Sequence, residues 1–316
     1  MFIKTVFLSI MLTLASLAHA NPADTIKIVI GFNPGGGSDR IARNIQEILI
    51  RETGKTVVVD YKPGAGGDIA SREVATDVSG QTVLLLKGTS NIVMRQLKQN
   101  TVYDYRQLKP TAYVGYVPMV LVSPAQSKYK TLDSILKMPV SEAPNFGSSG
   151  VGSGTHISGE IFFNRIDRKM THIPYKGNSQ VIPDLLAGRL DLTWGFPAAV
   201  VPLINEGKLN AIAIAGSARL PALPNVPTLD ERNLSDGYGK LMYVFFASPG
   251  TSDAALKNIQ TVLNRALADP AVAKTMSETA DVTVEPTKTL QVQRILDDEF
   301  KQYRRLVEKS PEILVN

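Results

Sequence analysis

Short apolar runs alternate with amphipathic stretches along this chain, and several of the runs end in glycine. Ile26–Ile30 leads into a glycine-rich loop and then into Ile41, Ile45, Ile48 and Leu49, spaced for one face of a helix that stops at Gly54. Thr56–Asp60 reads as a β-branched strand, Pro63–Gly67 as a second glycine loop and Asp68–Ala75 as a helix. Val83–Leu86 is a third strand, ending in Gly88-Thr89-Ser90. A second unit of the same kind opens at Asn145-Phe146 with the loop Gly147–Gly154, after which Ile157, Ile161 and Phe162 mark another helix face. Met170–Tyr175, Leu190–Phe196 and Ala211–Ala215 read as strands, and Ser179–Ala187 as a helix closed by Gly188.

Val114–Val122 and Leu241–Ala247 are extended and rich in valine and aromatics, which predicts two crossings between the units. Beyond Gly250 the pattern is helical to the end, most clearly over Ala254–Ala268 and Thr289–Val307, and these helices are expected to pack back on the first unit. Strands alternating with helices in this way predict an α/β fold: two doubly wound domains, each a parallel sheet covered on both faces, joined by two extended crossover strands. The expected division is residues 21–122 with 245–316 for the first domain and 123–244 for the second.

The first residues change the setting. Met1–Ala20 has one positive charge, Lys4, an apolar core from Val6 to Leu17 and the ending Ala18-His19-Ala20, the form of a secretory signal peptide. That core is too short for a retained membrane anchor. The expected mature protein starts at Asn21 and is exported to the periplasm. Cysteine is absent from all 316 residues, which removes disulfides, thiolate metal sites, cysteine nucleophiles and the lipid-accepting cysteine of a lipoprotein. A chain of this length buries enough apolar surface to fold without disulfides. The 34 basic against 29 acidic side chains are scattered without a basic block, so nucleic acid is not an expected partner.

The candidate chemistry lies in the glycine loops. Segments 34–37, 63–67, 88–90 and 147–154 all follow strands, and in open α/β sheets ligands bind beyond the carboxyl ends of the strands. Such loops present backbone N–H groups, and the helices behind them add the positive ends of their dipoles, so each is suited to an anion. Nucleotide spacings fail: counting from Gly35, the third glycine of a G-x-G-x-x-G fingerprint is replaced by Arg40, and Leu49 stands where a P-loop ending in Gly54-Lys55-Thr56 needs glycine. Two units turning anion-ready loops toward a shared cleft describe a hinge-closing, two-lobed binding protein.

The chain resembles the Bug-type periplasmic solute receptors of tripartite tricarboxylate transporters from about Ile26 to the C-terminal helices. The resemblance rests on Phe32-Asn33-Pro34-Gly35-Gly36-Gly37-Ser38-Asp39 and on Lys62-Pro63-Gly64-Ala65-Gly66-Gly67. It continues in Ser148-Ser149-Gly150-Val151-Gly152-Ser153 with His156 and Gly159-Glu160, in Pro174-Tyr175-Lys176-Gly177, and in Leu220–Thr228. Asn33 stands where the family usually has proline, and Met242-Tyr243 where a tryptophan is frequent. The resemblance implies a receptor that holds a small organic anion (a di- or tricarboxylate, an amino acid or an aromatic acid) through backbone amides, hydroxyls and water. It also implies delivery to two integral-membrane transporter subunits.

The ligand-binding candidates are Phe32, Gly36, Gly37, Ser38 and Asp39 in the first loop, Gly88 and Thr89 after the third strand, and Ser148, Ser149, Gly152, Ser153 and His156 in the second unit's loop. Tyr175, Lys176 and Phe196 end strands of that unit. Asp39 is expected to cap the helix or to organise water, since an inward carboxylate repels an anion; Ser38 is the better donor. Phe196 rather than Trp194 is expected at the cleft, because it stands nearer the end of the strand. No cofactor or metal is predicted, only His156 and His172 remaining after the leader, and a monomer is expected. Two other functions use the same residues: a sensor that presents its ligand to a membrane kinase, and an exported hydrolase with Ser149 or Ser153 beside His156. No G-x-S-x-G elbow frames either serine.

Overall fold

The structure is a computed structural model that describes residues 24–98, 101–175, 177–216, 218–234, 240–285, 291–309 and 311–314. The expected leader and Lys176 lie outside the described residues. The chain builds two sheets. The first uses β1 (Thr25–Ile30), β2 (Thr56–Tyr61), β3 (Thr82–Gly88), β4 (Lys109–Val117), β10 (Leu241–Ala247) and β11 (Thr283–Val284), in the order β11-β4-β10-β3-β1-β2. The second uses β5 (Met119–Pro124), β6 (Asn145–Ser148), β7 (Thr171–Pro174), β8 (Leu192–Gly195) and β9 (Leu209–Ala215), in the order β7-β6-β8-β5-β9.

Both sheets are mixed, which corrects the expectation of parallel ones. Strand β1 runs parallel to β2 and β3, and β6 parallel to β7 and β8. Strand β10, however, returns antiparallel between β3 and β4, and β5 lies antiparallel between β8 and β9. The predicted crossing at Val114–Val122 is divided at Pro118: β4 ends one residue before it and β5 begins one residue after. Proline has no N–H to continue a ladder, so the chain changes sheet there. The other predicted crossing, Leu241–Ala247, lies wholly within the first sheet, so the second change of sheet precedes Leu241. The short strand β11 also interrupts the C-terminal run expected to be helical throughout.

Helices α1 (Gly37–Thr53), α2 (Asp68–Ala75) and α3 (Thr89–Leu97) follow β1, β2 and β3. Helices α4 (Leu132–Leu136), α5 (Gly154–Arg165), α6 (Asn178–Leu186) and α7 (Pro197–Asn205) belong to the second lobe, and α8 (Asp253–Leu267), α9 (Pro270–Ala280) and α10 (Val292–Lys309) close the chain. Helix α1 buries Ile41, Ile45, Ile48 and Leu49, the face read from the sequence, and ends at Gly54 in the left-handed conformation. Ile259, Leu263 and Met276 join α8 and α9 to the core on one side of the first sheet, while Val292 and Leu296 bring α10 to the other. Among the apolar contacts that tie the lobes, Ile157 of α5 is buried in the first lobe's core with Ile161 packed beside it, and Phe196 packs against cores of both.

Candidate functional site

A cavity of about 660 Å³ lies between the lobes. The N-cap residues of α1, α3, α5, α6 and α7, namely Gly36, Gly88, Ser153, Gly177 and Phe196, all line it. Each helix start carries roughly half a positive charge and unpaired N–H groups. The body of the cavity is apolar, with Phe32, Pro34, Ile182, Pro183 and Leu241 in its walls, and Arg40 is the charged side chain among its lining residues. The arrangement suits an anionic head on an apolar body.

The first loop is shaped from beneath. Gly31 and Gly67 touch so closely that a Cβ on Gly31 would lie 2.4 Å from the Gly67 Cα. Below them sits Lys87, fully buried at the end of β3, whose Nζ donates to Ser71 Oγ at 2.8 Å and Gly66 O at 3.4 Å and lies 3.6 Å from Asp68 Oδ1. Burial lowers the Lys87 ammonium to about 8, with Asp68 opposing that shift. Asp39 neither caps α1 nor faces the cavity but fastens the loop itself, Oδ2 accepting from the Gly35 N–H at 2.8 Å and Oδ1 from the Tyr61 hydroxyl at 2.7 Å. Burial opposes ionisation of Asp39, but Gly35, Tyr61 and Arg43 together hold its carboxyl below the ordinary value. Ser38 is buried beside the Tyr243 hydroxyl, with which it hydrogen-bonds.

The second loop is a hydroxyl network centred on Thr155. Its Oγ1 accepts the Ser149 N–H at 3.0 Å and lies 2.9 Å from Ser149 Oγ and 3.2 Å from Ser153 Oγ. Ser153 caps α5 by accepting the His156 N–H. Behind the loop, His156 Nδ1 accepts the Gly152 N–H at 3.0 Å, and Ser148 Oγ meets His172 Nε2 at 2.6 Å.

The cavity therefore brings together Phe32, Gly36, Gly37, Ser38, Gly88, Ser149, Ser153 and Phe196 of the predicted set. It does not bring in the rest. Asp39, Ser148 and His156 fasten loops from behind, and Thr89 is fully buried in the first turn of α3. Gly152 lines a smaller cavity of about 290 Å³ with Asn91 and Arg95, while Tyr175 turns its hydroxyl to Asp184 at 2.6 Å. Trp194 is buried in the second lobe's core; Phe196, two residues on and so on the same side, packs against that core as well, and it reaches the cavity because it lies past the end of β8, at the N-cap of α7. Arg40, Asn91, Thr155 and Leu241 also line it and were not anticipated, whereas Tyr243, which lines it too, stood out in the sequence as a departure from the family pattern. For Lys87 there was a signal, a lone cation closing a wholly apolar strand; for the others the sequence offered none.

The hydrolase alternative fails on this geometry. Ser149 Oγ pairs with Thr155, and His156 Nδ1 is engaged by a backbone amide rather than by a serine. Among the described residues, no group of three or more metal-ligating side chains is gathered, and no helix is long and apolar enough to cross a membrane.

The model of the tripartite tricarboxylate transporter family receptor matches residues 41–311. A UPF0065 protein from the tcbD-tcbE intergenic region of Pseudomonas sp. strain P51 is 31% identical over 271 residues, 84% of this chain and 80% of that one. Among solved structures, the periplasmic binding protein BugD superposes with a TM-score of 0.77 at 26% identity, over 90% of this chain and 97% of its own. MatC from Rhodopseudomonas palustris with bound malate shares the fold at a TM-score of 0.78 and 24% identity, over 91% of this chain and 100% of its own. The chain belongs to the receptor family of the tripartite tricarboxylate transporters, and it is a periplasmic solute-binding receptor of the Bug type, not an enzyme.

Proposed function

We propose that this receptor captures one small organic carboxylate between its lobes and delivers it to the two integral-membrane subunits of a tripartite tricarboxylate transporter. The observation that carries the reading is the convergence of five helix N-caps on one cavity. A carboxylate held there exchanges water for fixed amides and hydroxyls, each charge-assisted bond contributing about 1.5–3 kcal/mol. Ser38, Ser149 and Ser153 with the first-turn amides of α1 and α5 hold the head, while Phe32 and Phe196 cover the body. The malate bound by MatC is an acid of the same class. In this reading, residues 1–20 direct export and are removed, the mature protein acts as a monomer, and the lobes close about the segments at Pro118 and ahead of Leu241.

Thermal-shift screening of purified protein against mono-, di- and tricarboxylic acids, amino acids and aromatic acids tests the reading. A ligand selective for the folded state raises the melting temperature in a saturable way. Malate and other short dicarboxylates belong at the head of the panel. No shift with any acid, from protein shown to carry no retained small molecule, would overturn it.

A further inference from the structure

Asp281 follows α9 in the left-handed conformation, φ 57°, and its side chain reaches across the cleft. Its Oδ2 accepts the Ala198 N–H, an amide of the first turn of α7, at 3.1 Å, and lies 3.3 Å from Arg40 Nη2. Ala198 lines the cavity from the second lobe and Arg40 from the first. One carboxylate oxygen thus joins both lobes at the cavity wall, with the side chain only 15% exposed. Burial raises the Asp281 carboxyl, while Ala198 and Arg40 favour its charged form. Among the described residues the guanidinium is held along one edge, Arg40 Nε being buried with no partner there.

We propose that Asp281 is a positioning residue of the receptor: its carboxylate clasps the two lobes together and sets the Arg40 guanidinium in the cavity wall. The Ala198 bond exists only while the lobes are closed, so it shifts the population toward the closed form without being part of the ligand grip. The inference deepens the receptor reading, but its test uses no ligand, so the two fail separately.

The left-handed position offers a clean deletion. Glycine is at home at a helix end with positive φ, so Asp281→Gly removes the carboxylate without straining the backbone. Asp281→Asn keeps an acceptor for the Ala198 N–H and tolerates the same conformation, but weakens the hold on Arg40. Because the chain has no cysteine, Glu47→Cys and Asn205→Cys place unique spin labels on exposed positions of α1 and α7. Pulsed electron–electron resonance without ligand then reads the lobe separation. The clasp predicts a longer distance population in Asp281→Gly, a smaller increase in Asp281→Asn, and no more than a small fall of melting temperature in Asp281→Gly. A distance distribution identical to that of the parent in both variants would overturn it, as would an opening matched by a fall in melting temperature that marks general destabilisation.

Discussion

The imidazole rings of His156 and His172 stack face to face, with centroids 3.7 Å apart and planes inclined by 10°. Each fastens one part of the second glycine loop, His156 at the Gly152 N–H and His172 at Ser148. Burial, and then the neighbouring His156, push His172 from 6.5 down to about 3. The unfolded chain therefore binds the proton more readily than the native one, and the contribution of this pair is fully present above pH 6.5 and lost as pH falls toward 3. His172→Gln, whose amide still reaches Ser148, is expected to flatten the fall of melting temperature between neutral and mildly acidic pH. Calorimetry of the two proteins across that range decides it; a difference between them that is independent of pH sinks the assignment.

Glu299 gives the opposite sign. It is buried on α10, its Oε1 3.5 Å from the Tyr303 hydroxyl, and burial raises its carboxyl from 4.5 to about 7, against the opposing pull of the neighbouring Thr89 and Tyr303 hydroxyls. The native state here holds the proton more tightly. The stabilising difference is present below pH 4.5 and is lost as pH rises through 7. Glu299→Gln should raise the melting temperature at pH 8 and leave it unchanged at pH 4.5. Equal effects at both values would contradict the burial argument.

Contact between the glycine loops makes a further prediction. A Cβ at Gly31 would fall 2.4 Å from the Gly67 Cα, a backbone atom that cannot turn aside, whereas at Gly36 the nearest atom is 3.8 Å away. Gly31→Ala should destabilise by about 1–3 kcal/mol, the usual cost of overpacking. Gly36→Ala, in the same loop, should be tolerated. Urea unfolding of both variants tests the pair, and equal midpoints would show that the loops are not in contact.

Thr155→Val removes the hydroxyl at the centre of the second loop while keeping its shape. It leaves the Ser149 N–H unpaired, at a cost of about 1–3 kcal/mol. We expect reduced stability together with at least tenfold weaker binding of whichever acid the panel identifies, measured by titration calorimetry. Ser149→Ala keeps the loop and should weaken binding with less loss of stability. Unchanged affinity in both would move the ligand away from α5.

Local pattern made much of this molecule legible. The α1 face, the third strand and the loop at 147–154 were readable because helix period, strand burial and glycine each leave a mark within a few residues. Strand direction was not, since whether Leu241–Ala247 bridges lobes or returns antiparallel between β3 and β4 depends on partners more than a hundred residues away. The site divided along the same line. Loop residues that point outward from a helix start were found, while His156 and Ser148, of the same types in the same loop, turned inward because His172 waits behind them. Arg40 and Asp281 meet only through the fold, and nothing in either neighbourhood announces the other.

Mass spectrometry of the small molecule released from natively purified protein tests the central claim most directly. The account predicts about one equivalent of a single organic carboxylate, displaced when Ser149→Ala and Ser38→Ala are combined. Release of a compound that carries no carboxylate in that stoichiometry would contradict it.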